Sequence, residues 1–346
     1  MNISPLQLGL ALAGGLLLLA IGLHGWWLSR RNLPRQASPA PASSAVNDAG
    51  GMEPVLDDAA LELSRFPLPV PEKKPLLDAL IDGLASIALE NPVSGDAALA
   101  ALPPTRRVGS KPFAVEGYNE LDGRWELPVP GQRYSAFQTG VQLTNRAGAI
   151  NNIEFSEFVV KTHAFCDLVN GTPEFPDMQE EVSRARELEH FASAHDAQLG
   201  LVLHARQAAW SPGYVQQSAA RLGFVAGLIP GRMVLPASSA GLPPVLSLSF
   251  DTQAALADDP AQSALREVAL SLDVPQVSPT EQAFERMRDI GMSLAASMDG
   301  SLTDQEGALL SAAALDHIGA DLHKLYALLD EREFAAGSSL ARRLFS

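Results

Sequence analysis

A chain of 346 residues carrying 40 acidic against 25 basic side chains has a formal charge of -15. That balance excludes a nucleic-acid surface and broad electrostatic adhesion to anionic lipid. One cysteine, Cys166, excludes an internal disulfide framework and fits a reducing compartment.

From Leu8 to Leu23 nothing polar interrupts the chain, and the run reads on to Leu28 with only His24 inside it. About 20 helical residues at ~1.5 Å each cross the ~30 Å hydrocarbon layer, so residues 1–29 predict a transmembrane anchor. A cleavable signal would open on positive charge, whereas no Lys or Arg precedes Arg30. Trp26 and Trp27 suit the membrane interface, and Arg30 and Arg31 hold the following chain on the cytoplasmic side, with the amino terminus facing out. Residues 30–72, containing "QASPAPASSAVNDAGG", lack apolar periodicity and predict a disordered, flexible linker.

Residues 73–195 read as one α+β unit: strand "LASIALE", a short helix in "SGDAALAALPP", strands "KPFAVEGYN", "GRWELPV" and "YSAFQTGVQLTN", then a helix in "NIEFSEFVVKTHAFCDLV". Cys166, at helical spacing with Phe165 and Val169, reads as a core thiol rather than a nucleophile. Residues 196–346 begin with strand "LGLVLHA" and a helix capped by Ser211 with Pro212 in its first turn. Two strands, "GRMVLPA" and "PVLSLSFDT", precede "REVALSLDV", which alternates with Val268, Leu270 and Leu272 on one face. An amphipathic helix carrying Phe284, Met287, Leu294 and Met298 follows, then a short strand and a helix striped by Leu315, Ile318, Leu322, Leu325 and Leu329. The expected fold is therefore a split β-α-β antiparallel sheet with helices on one face. Element order predicts that it occurs twice, with Leu89 standing to Leu203 and Leu143 to Leu272.

The search for catalytic chemistry finds no phosphate loop, no nucleophile elbow and no cysteine pair for zinc. No enzyme, cofactor, metal or small-molecule substrate is expected. A sheet covered on one side leaves its other face for a partner. Alternation places Val202, Met233, Leu235, Ser249, Asp251, Ala269 and Ser271 on that face. A register one residue off would turn Met233 and Leu235 inward. A rival organisation is a membrane-anchored enzyme or envelope-assembly factor with a cleft between the two units, built on Glu189, His190 and His195.

The anchor ending in "HGWWLSRR", with "SAARLGFVAG", "PVLSLSF", "LSLDVP" and "GMSLAASMDGSLTDQEGALLSAAALDHIGADLHKLYALL" in order, resembles the ZipA family of bacterial cell-division proteins, which tether FtsZ to the inner membrane. The resemblance covers the anchor and about residues 199–331. It implies a midcell adaptor whose exposed sheet face takes the FtsZ C-terminal peptide, and it carries the groove onto the same seven positions. Ser249, Asp251 and Ser271 stand where the family pattern is more apolar or bulkier, and "LIPG" is an insertion. Residues 73–195 have no counterpart in the short form of the family.

Overall fold

The structure is a computed structural model that describes residues 34–37, 76–257, 259 and 262–346. The expected transmembrane anchor, with Trp26, Trp27, Arg30 and Arg31, and nearly all of the expected linker lie outside the described residues. Among the described residues no helix is long and apolar enough to cross a membrane. The described chain forms two compact units: residues 76–196 with Arg343–Ser346, and residues 34–37 with Ala197–Arg342.

The N-terminal unit runs β1 (Asp82–Ser94), α1 (Gly95–Ala101), β2 (Arg107–Val108), β3 (Lys111–Asn119), β4 (Trp125–Glu126), β5 (Arg133–Gln142), β6 (Thr144–Asn145), β7 (Gly148–Ala149), α2 (Asn152–Val169), β8 (Gly171–Glu174) and α3 (Met178–His195). Its main sheet is antiparallel in the order β2-β3-β5-β1-β8, with β4 on β3. Asn151 starts α2 with a reciprocal capping box: its side chain accepts from the Ile153 and Glu154 amides while Glu154 reaches back to its own. The helices bring Ala98, Phe158, Phe165 and Ala185 onto the inward strand residues Ile87, Phe113 and Phe137. Phe137 and Phe165 meet edge to face at 5.2 Å, a geometry that aromatic quadrupoles favour.

Cys166 lies in this core, and burial pushes its thiol up to about 11. A buried, protonated thiol is a poor nucleophile. Ellman's reagent at neutral pH is therefore expected to leave the native protein unlabelled and to titrate one thiol after denaturation; fast native labelling would contradict the core assignment.

The C-terminal unit contains β9 (Gln198–Ala205), α4 (Pro212–Ala220), β10 (Val225–Ala226), β11 (Arg232–Leu235), β12 (Leu246–Ser249), α5 (Thr252–Ala255), β13 (Glu267–Asp273), α6 (Ala283–Met298), β14 (Gly300–Thr303) and α7 (Ala312–Glu331); a short α8 (Ser339–Leu344) follows. Its sheet order is β10-β11-β12-β13-β9-β14. Val215 of α4, Phe284, Met287 and Leu294 of α6, and Leu315 and Leu322 of α7 pack on Leu203, Leu248 and Leu270. Pro34–Ala37, which composition assigns to the linker, enter this unit: Arg35 N–H donates to the Ala209 carbonyl at 2.7 Å and the Ser211 N–H donates to the Arg35 carbonyl at 2.9 Å. The Arg35 guanidinium reaches the Met298 carbonyl at 3.1 Å and Asp299 at 2.9 Å, while the buried Trp210 indole N–H donates to the same Met298 carbonyl at 2.8 Å. These donors satisfy a carbonyl that the end of α6 leaves without a helical partner.

The two sheets share one connectivity, since β2-β3-β5-β1-β8 maps onto β11-β12-β13-β9-β14. In each, the opening strand lies between the strand before the main helix and the strand after it. The match extends to the helix ends. Both α2 and α6 stop on a left-handed residue, Asn170 and Asp299, each at φ 56°, and a glycine then opens β8 or β14. A Cβ on Gly171 would stand 2.6 Å from Ile87 Cγ2, and one on Gly300 would stand 3.0 Å from Leu203 Cγ. A Cβ would overlap Ile87 at Gly171 and press on Leu203 at Gly300, because in both places the strand closes directly on an inward side chain of the opening strand. Ile87, rather than the expected Leu89, is thus the residue that stands to Leu203, and the same register sets Val141, rather than the expected Leu143, against Leu272.

Candidate peptide-binding face

Helices cover the C-terminal sheet on one side, so the outward side chains of its strands form a continuous surface. Its rows follow from the antiparallel pairings, because residues directly opposite point the same way. One row runs Arg232, Ser249, Ala269, Val202, Thr303 across β11, β12, β13, β9 and β14. The next runs Val225, Val234, Ser247, Ser271, Gly200 from β10 to β9. Small side chains in the middle of each row leave the sheet surface low, with Val202 beside them at the β9 end of the first row and Val234 and Val225 at the opposite end of the second.

Five of the seven residues expected on this face lie there or at its rim. Val202, Ser249 and Ala269 are half-buried neighbours in one row, and they line a concavity of about 440 Å³ together with Asp251. Ser271 lies in the second row and lines another concavity of about 400 Å³ with Ser247, Pro243 and Pro244. Asp251 is placed past the end of β12, where its carboxylate accepts from the Gln253 amide at 2.9 Å and caps α5. Its position is the rim, and its local work is helix capping.

Met233 and Leu235 are corrected. Both are buried, at 5% and 4% exposure, in the core beside Leu248 and Phe224. The cause is register: Met233 pairs with Leu248 and Leu235 with Leu246, both inward residues, which leaves Arg232 and Val234 outward. The outward apolar residues that alternation missed are therefore Val234 and Val225, the latter 50% exposed, with Leu228 and Ile229 of the "LIPG" insertion exposed in the turn beyond. Arg232 carried the signal, because a charge two residues before Val234 puts both on the solvent side.

The edge of the face is charged. His204 Nδ1 stands 3.3 Å from Glu267, and its Nε2 stands 3.1 Å from Thr303 Oγ1. Glu189, His190 and His195 all lie on α3 of the N-terminal unit; His195 Nδ1 is 2.7 Å from the Phe191 carbonyl one helical turn back, a local partner. Among the described residues no three His, Cys, Asp or Glu side chains group as metal ligands would.

The uncovered side of this antiparallel sheet is thus a shallow face of mixed apolar and hydroxyl side chains. Residues 256–321, which span β13, α6 and β14, match the family model described as ZipA, C-terminal FtsZ-binding domain. The match supports a ZipA family protein. No curated protein matches the chain.

Proposed function

We propose that this protein is a non-catalytic cell-division adaptor: the C-terminal unit binds the C-terminal tail of FtsZ on its uncovered sheet face, and the apolar run before Arg30 tethers it to the cytoplasmic membrane at midcell. The observation that carries the reading is the pairing of a matched FtsZ-binding domain with an open face centred on Val202, Val234, Ala269 and the serines between them. A tail that loses about 300 Å² of apolar area gains roughly 7 kcal/mol before ordering costs, which leaves a micromolar-scale contact. Many tethered copies facing one filament then supply avidity.

Val202 is the residue on which to test this, since it is half-buried on the outer face and lines the concavity there. Val202→Glu in the full chain is expected to weaken binding of a synthetic FtsZ tail peptide at least tenfold while leaving the thermal midpoint within a few degrees. Equal affinity of the two proteins, measured by fluorescence anisotropy, would exclude this face as the site.

A further inference from the structure

The shared connectivity allows the two sheet faces to be compared residue by residue. With Ile87 standing to Leu203, the row Ser249, Ala269, Val202 corresponds to Glu116, Gln138, Ser86, which the pairings place side by side. The row Ser247, Ser271, Gly200 corresponds to Ala114, Gly140, Leu84. The second of these rows is covered in the N-terminal unit. Leu77, which precedes the first strand, is only 7% exposed. It lies on Gly140 so closely that a Cβ there would collide with its δ-methyls, and the same Cβ would stand 3.0 Å from Leu84 Cδ2.

A polar clamp holds this lead-in segment down. Glu116, fully buried, accepts from the Leu76 amide at 2.5 Å and the Leu77 amide at 3.3 Å through one oxygen. Its other oxygen accepts from Gln138 Nε2 at 2.9 Å. A buried carboxylate needs such donors, and here two of them are backbone amides of the covering segment. In the C-terminal unit the corresponding position is Ser249, which has no carboxylate to offer, and glycine replaces Leu84 at Gly200, over which lies the exposed, flexible side chain of Gln305 in place of a clamped backbone segment.

We infer that the N-terminal unit is a closed copy of the binding module: Leu77, anchored by Glu116, takes the place a ligand's apolar side chain would take, so the chain offers one open receptor face instead of two. The statement that the open face is a receptor rests on the function proposed above; the closure itself does not. It assigns the N-terminal unit an internal partner, its own residues 76–77, and makes Glu116 the residue that selects it.

The test uses the full chain in nanodiscs and two peptides, with amide and methyl NMR shifts as the readout. The FtsZ tail peptide should bind the native protein with a stoichiometry of one and move only residues of 197–342. A synthetic peptide of residues 72–79 should leave the native protein unchanged but shift Leu84, Gly140 and Glu116 in the Leu77→Ala variant. Hydrogen exchange of the native Leu77 amide should be at least 100-fold slower than in the unfolded chain, and Glu116→Ala should abolish that protection. Two tail peptides bound to the native chain, or an unprotected Leu77 amide, overturns the closure. Shifts by the 72–79 peptide that are equal in native and variant proteins, or absent from a folded Leu77→Ala protein, overturn the ligand-mimic assignment. Failure of the tail peptide alone to bind sinks the proposed function and leaves the Leu77 measurements to decide closure.

Discussion

Arg343→Met is expected to destabilise the N-terminal unit by about 3–5 kcal/mol, the cost of leaving a buried charge without its partner. Asp82 is fully buried at the start of β1, and Arg343 meets its two carboxylate oxygens at 2.5 Å and 3.0 Å. The Asp78 amide supplies a further donor at 2.8 Å, too little to hold the charge alone. Burial keeps the Asp82 carboxyl above its ordinary value of 3.8 even with the guanidinium drawing it down. The folded unit therefore takes up this proton at higher pH than the unfolded chain does. Relative to the unfolded chain, this group favours folding most below the unfolded value and loses that contribution as pH rises through the folded one. Without the guanidinium the folded value climbs further, so the variant's deficit should widen toward neutral pH and narrow in acid. Denaturant titrations across that range check the trend. The double variant Asp82→Asn/Arg343→Met should recover most of the loss, because no unpaired charge then remains at this site.

Met233→Glu should unfold the C-terminal unit, with a loss on the order of 4 kcal/mol or more, since it drives a carboxylate into a core of Leu248, Phe224 and Leu235. Circular dichroism should show loss of a cooperative transition for that unit. Val234→Glu, one residue along on the outward face, should keep the transition and lose tail binding. A protein in which Met233→Glu folds normally and Val234→Glu does not would reverse the register described here. The pair separates a folding defect from a binding defect at neighbouring positions, which neither substitution does alone.

The main helices and the alternating strand were legible because their signals are local. The α2 helix occupies the expected "NIEFSEFVVKTHAFCDLV", bounded by a capping box and a left-handed Asn170. The outward set of β13, Ala269 and Ser271, follows from seven alternating residues. The face of β11 was not legible in the same way. Met233, Val234 and Leu235 form an unbroken apolar run, so period-2 reasoning has nothing to grip, and only pairing with β12 decides. The repeated unit was visible in element order, but its clearest trace, a left-handed helix end followed by glycine in "NG" and "DG", gains meaning only when Ile87 and Leu203 are seen beneath the glycines. Leu77 and Arg343 were invisible for a related reason. Each acts on a partner far along the chain, and no short window of sequence relates them.

The Asp82 ion pair joins residues 261 positions apart, and that separation governs the order of synthesis. Translation releases the N-terminal strands and helices long before Arg343 exists. Until the ribosome has passed that codon, Asp82 has no guanidinium, and the nascent unit must hold an uncompensated carboxyl or keep it protonated. Domains made first ordinarily fold first. Here the first-made unit reaches full stability only after the second has been translated. A ribosome stalled or a message truncated anywhere before residue 343 would thus leave the early unit without its buried ion pair, an inversion of the usual vectorial advantage.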